Sequence, residues 1–241
     1  MQKKFLCLDK ILRLKMNQFK NVFLIALIIF LYQNNHAQNC KSNLWEFTSR
    51  DSIENFSFTP LNKIPQIINE QNNTAFSFNG IDEAILVDTN PLEDTEEFTI
   101  EATIKPDSTF NPANKEQRFI HIRNGANDDR RILLELRLYP NQTWVFDTFI
   151  KSENSKCTLI DTTKRHPAGK WYNVALVYKN GIMTSFVDGI KEAEGNVDYK
   201  MIIDGKISIG ARQDPRNWFK GAISKIRFTK CALEPEYFLT R

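Results

Sequence analysis

WYNVALVYKNGIMTSFVDGIKEAEG, residues 171–195, is two β-hairpins written end to end. Trp171–Tyr178 alternates its side-chain types, Lys179-Asn180-Gly181 turns the chain, and Ile182–Val187 runs back. Asn-Gly supplies the positive φ angles of a two-residue hairpin, and Asp188-Gly189 repeats the device one strand later. Period-two alternation extends outward from this stretch. Phe98, Ile100, Ala102 and Ile104 alternate with Thr99, Glu101, Thr103 and Lys105 until Pro106 ends the run. Ile132, Leu134, Leu136 and Leu138 alternate with Arg131, Leu133, Glu135 and Arg137, and Trp144, Phe146, Thr148 and Ile150 continue past the turn Tyr139-Pro140-Asn141. Shorter runs occupy Ala75–Phe78, Ala84–Val87, Arg118–Arg123, Lys206–Gly210 and Gly221–Phe228. A sheet with one buried face requires this pattern. The chain therefore reads as all-β, one domain of two packed antiparallel sheets. A single helical turn is expected over Leu233–Phe238, and the loosest stretches are Thr59–Asn73, Asp107–Gln117 and Lys151–Gly169.

Residues 1–38 stand apart. Val22–Tyr32 is an unbroken apolar run of eleven, with Lys20 before it and the polar Gln33–Gln38 after it. A basic start, a short apolar centre and a small residue at the exit describe a cleavable signal peptide, with cleavage after Ala37 or Gln38 and Met16 as the true start. Eleven residues rise only about 16 Å as a helix against a hydrocarbon core of roughly 30 Å, so no permanent membrane span is expected. The expectation is export to an extracellular or periplasmic space, with 39–241 as the single folded domain. The formal net charge of the whole chain is +3. Segment 1–38 holds six Lys or Arg against one Asp, so the remainder sets 26 basic against 28 acidic residues, a net of −2. With that segment set aside, no basic patch is expected that would argue for nucleic acid or an anionic membrane surface.

Three cysteines follow the leader: Cys40, Cys157 and Cys231. An odd number in an oxidising compartment allows one internal disulfide and one free thiol. Terminal strands of a sandwich are often neighbours, which makes Cys40–Cys231 the preferred pair; three unpaired cysteines is the alternative.

Several segments, in order, resemble the concanavalin A-like, laminin-G-like jelly rolls of secreted proteins. Phe76-Ser77-Phe78-Asn79-Gly80 with Ala84–Val87 resembles the family's opening F-D-G segment, and Glu97–Pro106 its F-T-I-E-A-W-V-K-P strand. Gly169–Ala175 is similar to G-x-W-H-H-V-A and Phe186–Gly189 to Y-V-D-G. Ile207–Gly210 and Phe219–Arg227 resemble the closing L-x-I-G and F-x-G-x-I-D-E-V-R. Thr103 replaces the usual Trp, Ser224 the usual Asp, and Cys231 the usual Asn or Arg. The resemblance covers roughly Leu44–Phe238 and implies a two-sheet jelly-roll sandwich. It does not imply one activity, because the same sandwich hosts lectins, adhesion modules and hydrolases. It also implies calcium as a candidate ligand at a loop edge, with Asp107, Asn127, Asp128 and Asp129 supplying oxygens of the right type. No cofactor is required by the reading.

Catalytic patterns are sparse. Retaining glycoside hydrolysis needs two carboxyl groups about 5–5.5 Å apart, and the economical source on a sandwich is a pair of acids two or four apart on one strand. Here Glu101, Glu135 and Asp147 each stand alone on their strands and read as solvated or salt-bridged outer-face residues. Arg131–Arg137 is faintly similar to the R-x-E-x-R strand of jelly-roll alginate lyases, but the accompanying Gln-x-His strand is missing. His121 reads as a packed or rim residue and His166 as an exposed loop residue. For sugars, Trp218 is the candidate platform, with Arg212 and Arg216 as donors; the alternative is that Trp218 closes the sandwich edge. These residues point to a secreted, non-catalytic binding or adhesion module for a polysaccharide or surface glycan. The alternatives are a divergent glycoside hydrolase or polysaccharide lyase, and an extracellular protein–protein interaction module.

Overall fold

The computed structural model describes residues 40–54, 56–125 and 129–240, with isolated positions 20 and 24. The expected signal peptide over 1–38 lies outside the described residues. The chain divides into two compact units, 1–40 and 41–241. The second is an antiparallel sandwich of two sheets.

Strands are numbered in chain order. The first sheet runs β15 (Ile190–Asn196), β14 (Ile182–Val187), β13 (Tyr172–Lys179), β7 (Phe98–Pro106), β17 (Lys220–Thr229), β5 (Asn73–Asn79) and β4 (Gln66–Glu70), with β1 (Ser42–Glu46) also paired to β17. The second runs β11 (Ser155–Ile160), β10 (Thr143–Ser152), β9 (Arg130–Leu138), β8 (Glu116–Asn124), β16 (Gly205–Ile209), β6 (Ile85–Val87), β3 (Phe56–Pro60) and β2 (Ser52–Ile53), with β12 (His166–Pro167) paired to β10. Both hairpins of 171–195 form. Asn180 and Gly181 sit at φ 49° and 83°, and Asp188 and Gly189 at 49° and 76°, the left-handed pair that a type I′ turn requires.

Inward residues of both sheets make the core. Trp45, Phe76, Phe98, Phe119, Trp144 and Phe228 are all fully buried, and burying each such side chain contributes on the order of 1.5–3 kcal/mol. Three register shifts break strict alternation, one of them between Ser185 and Phe186 where β14 meets β15. In β8 the register shifts between Arg118 and Ile120, so Phe119 and Ile120 both enter the core although they are consecutive. In β17 the shift falls between Ile223 and Lys225, and Ser224 O accepts from Phe47 N across the sheet at 3.3 Å. A bulge of this kind inserts one residue and re-aims those beyond it.

β1 pairs with β17 in the register Ser42↔Thr229, which carries the chain start to the chain end, and Cys40 and Cys231 form the expected disulfide. Cys157 is free and half-buried, its thiol pushed up by burial. The C-terminal turn is a 3-10 helix over Pro235–Tyr237. Two stretches expected to be loose contain strands. Thr59–Asn73 holds β4, and Lys151–Gly169 holds β11 and β12. Both β4 and β11 are edge strands of their sheets.

Candidate functional site

The site is built on the outer face of the second sheet. Inward residues of β8, β9, β10 and β16 fill the core, so the alternate residues project outward and the strand register sorts them into rows. One row sets Arg118 opposite Glu135 and Glu135 opposite Asp147 across β8, β9 and β10. The next row toward the strand ends sets Glu116 opposite Arg137. Three carboxylates and the two arginines Arg137 and Arg118 close into a continuous ionic network. Arg137 Nε donates to Asp147 Oδ2 at 2.8 Å and its Nη1 to Glu116 Oε1 at 3.1 Å. Arg118 Nη2 lies 3.5 Å from Glu116 Oε2, and Arg118 Nε lies 2.5 Å from Glu135 Oε2.

These acids are not solvated, contrary to half of the sequence expectation. Glu135 and Asp147 are 4% and 2% exposed. Burial pushes the Glu135 carboxyl up to about 7; the nearby Asp147 adds to the shift, and Arg118 and Arg137 offset only part of it. Asp147 is likewise raised, again because burial outweighs the Arg137 hydrogen bond. Its second oxygen, Oδ1, is buried without a hydrogen-bond partner among the described residues.

His121 lies one row away on the same face, fully buried. Its Nδ1 accepts from Gln213 N at 3.1 Å, which leaves the proton on Nε2. Burial, with Arg212 and Arg123 nearby, lowers its pKa to about 3, so the ring stays neutral. It anchors a loop. Gln213 Nε2 donates to His121 O and to Lys206 O at 3.3 and 2.6 Å, and Gln213 Oε1 accepts from Arg123 Nε at 2.9 Å.

That loop carries the three sugar-contact candidates. Arg212 and Arg216 meet on one carboxylate: Arg212 Nε donates to Asp214 Oδ1 at 2.8 Å, and Arg216 Nε lies 2.9 Å from Asp214 Oδ2. Trp218 is half-buried at the foot of β8, bridged to Arg118 through the neighbouring backbone, and its carbonyl accepts from Asn114 Nδ2 at 2.8 Å. At the same end a cleft of about 270 Å³ is lined by Phe110, Lys115, Arg137, Leu138, Tyr139 and Pro140. Arg165 lies over the Tyr139 ring at 3.8 Å. His166 is not the exposed loop residue expected from sequence. It is half-buried against Trp144 and Tyr172, with Nε2 2.7 Å from Glu192 Oε1.

The two described oxygen-ligand candidates, Asp107 and Asp129, lie at opposite ends of β8. Asp107 accepts from Thr109 N at 2.8 Å and lies 3.3 Å from Lys220 Nζ, at the end where β8 begins. Asp129 lies 3.3 Å from Lys151 Nζ, at the end where β8 stops. Asn127 and Asp128 lie outside the described residues. Among the described residues no group of three or more His, Cys, Asp or Glu is arranged to hold a metal ion.

A family model of the laminin-G type, described as the concanavalin A-like lectin/glucanases superfamily, matches residues 79–237. The chain belongs to that superfamily. Among solved structures it is similar to domain 4 of the extracellular arabinanase AbnA from Geobacillus stearothermophilus, in complex with arabinotriose. That match has a TM-score of 0.60 and 16% identity, over 82% of this chain and 96% of that one. It is also similar to the heptameric SAP-like pentraxin of Limulus polyphemus, with a TM-score of 0.53 and 16% identity over 66% of this chain and 76% of that one. The botulinum neurotoxin serotype D binding domain matches with a TM-score of 0.58 and 15% identity, over 80% of this chain and 49% of that one. At these identities the likeness is one of fold. No curated protein sequence matches the chain.

Proposed function

We propose that this chain is a secreted, non-catalytic glycan-binding module that uses the outer face of its second sheet. The observation that carries the reading is the ordered polar face itself. Arg118, Glu116 and Arg137 form its half-buried surface, and it ends in a cleft lined by two aromatic rings, Phe110 and Tyr139. Planar rings beside fixed donors are what a sugar needs: apolar C–H faces to stack and hydroxyls to bond. Membership of the superfamily supports the reading, as does a fold shared with an arabinanase domain bound to arabinotriose. Export is supported by the Cys40–Cys231 disulfide, since such bonds persist in oxidising compartments. Among the described residues no helix is long and apolar enough to cross a membrane. Calcium is not required in this reading.

The test is a screen of the purified protein against polysaccharides and glycans, in calcium and in chelator. Binding without product release is the expected outcome, and binding to none of the panel would overturn it. A second reading, cleavage, has one specific observation in its favour. Glu135 has a carboxyl near neutrality directly opposite a second carboxylate, Asp147, the paired arrangement that sequence spacing did not reveal. Reducing ends or unsaturated products released from a bound glycan, and abolished by Glu135→Gln, would establish it.

A further inference from the structure

We propose that the glycan is a polyanion carrying a carboxylate or sulfate on successive sugars, and that it lies along a row of five cations running across the second sheet. This rests on the glycan-module reading and names the ligand class for the same face. The row is set by register. Lys206 stands opposite Arg123, Arg123 opposite Arg131, Arg131 opposite Lys151, and Lys151 opposite Lys156. The five residues occupy β16, β8, β9, β10 and β11, which are consecutive neighbours in the sheet, and all five project to the outer face. With strands about 4.8 Å apart, the row spans roughly 19 Å.

Like charges directly opposite one another destabilise a sheet, so four such steps in succession call for a reason. Protection of a sheet edge accounts for Lys156, because β11 is an edge strand and edge lysines discourage strand addition. It does not account for Arg123 and Arg131, which stand on the central strands β8 and β9. Nor does net charge, because residues 39–241 are slightly acidic overall; the cations are concentrated here. The two arginines are also pre-positioned. Arg123 is fixed by Gln213, and the Arg131 guanidinium lies 5.1 Å from the centre of the Phe149 ring. Guanidinium groups held in this way present planar donors to a carboxylate or sulfate. Two carboxylates beside the row, Asp88 on Lys206 and Asp129 on Lys151, are 76% and 59% exposed. Such surface pairs are weak and exchange readily for ligand anions. One anionic group per sugar, spaced along a chain, matches a cation on each successive strand.

The experiment measures affinity of the purified exported protein for polygalacturonate, a sulfated galactan, neutral arabinan and a single-stranded DNA oligonucleotide, each at low and moderate salt. The expected result is binding to one or both anionic glycans, weakening as salt rises, with neutral arabinan at least tenfold weaker and DNA weaker still. Polygalacturonate against sulfated galactan separates carboxylate from sulfate. R123Q/R131Q should weaken the anionic glycan at least tenfold, and K156Q/K206Q, on one exposed and one half-buried lysine of the outer face, at least threefold. Equal binding of arabinan and polygalacturonate, or anionic binding untouched by K156Q/K206Q, overturns this inference while leaving the glycan module intact. DNA binding as tight as the anionic glycans overturns it in favour of unselective attraction. Binding to no glycan, neutral or anionic, overturns both readings.

Discussion

The two outer faces of this sandwich are built from the same parts and finished differently. Each carries a buried glutamate beside an arginine of the neighbouring strand. On the first sheet Glu101, 1% exposed, accepts from Arg227 Nε at 2.6 Å through one oxygen and from Leu239 N at 2.6 Å through the other. Its cover is the chain's own C-terminal segment. Thr99 Oγ1 donates to Cys231 O and accepts from Leu233 N, Arg227 Nη2 donates to Tyr237 O, and Phe238 packs edge-on against Phe186. Every polar group named there is satisfied from within. On the second sheet Glu135 faces a second carboxylate, Asp147 keeps a buried oxygen without a partner among the described residues, and a cationic row crosses the same strands. One face has been closed by the chain. The other is capped by its own arginines and, over His121, by the loop at Gln213, and its outermost groups are charged side chains held in fixed register rather than a covering segment.

The disulfide is the largest lever on this contrast, because Cys231 begins the covering segment. Cross-linking so long a loop is worth about 4–5 kcal/mol in the chain-entropy model. Urea unfolding with and without reductant, or of C40S/C231S, should show a loss approaching that size. A loss near zero would mean that the first face is closed by its hydrogen bonds alone.

Next in size is the pH dependence of the second face. The Glu135 carboxyl titrates near 7 in the folded chain and near 4.5 when exposed, so the folded state holds a proton that the unfolded state has lost in between. A raised carboxyl contributes stability below about pH 4.5 and loses it as pH rises toward 7, a change of about 3 kcal/mol at 1.4 kcal/mol per pH unit. Glu135→Gln should flatten this slope, so that the variant gains on the native protein between pH 5 and pH 8 in chemical denaturation. A native slope that survives the substitution would move the buried proton to Asp147.

How much of this was legible in the sequence follows from the same contrast. Asn180-Gly181 and Asp188-Gly189 fixed two hairpins, and the inward Ile132–Leu138 and Phe98–Ile104 series fixed the core faces, because local turn geometry and period-two alternation are properties of one strand at a time. The face chemistry is a property of several strands. Strict alternation from His121 and Arg123 would aim Arg118 into the core; only the bulge at Phe119 returns it to the outer face beside Glu135. Glu135 and Asp147 are twelve positions apart and look like isolated surface acids until the β9–β10 register sets them opposite each other. The five cations, from Arg123 to Lys206, are equally scattered along the chain. Arg212, Arg216 and Trp218 read as loop residues in the sequence, and only the fold shows that their loop is seated on β8, through Gln213 N on His121 Nδ1 and through the bridge of Trp218 to Arg118.

The smallest effect is the most discriminating. Removing charge from K156Q/K206Q deletes two cations that stand opposite like charges and are partnered at most by an exposed acid. If the row were part of the architecture, as Glu101 and Arg227 are on the first face, the loss would resemble that of a broken buried pair, about 3–5 kcal/mol. If it is held for a ligand, relief of the repulsion should leave stability within about 0.5 kcal/mol of the native protein, with any change a gain. Thermal and urea unfolding of the variant without ligand measure this directly. A neutral or slightly stabilising result means that the sheet carries these cations at its own expense, whereas a loss of several kcal/mol would make the second face as structural as the first.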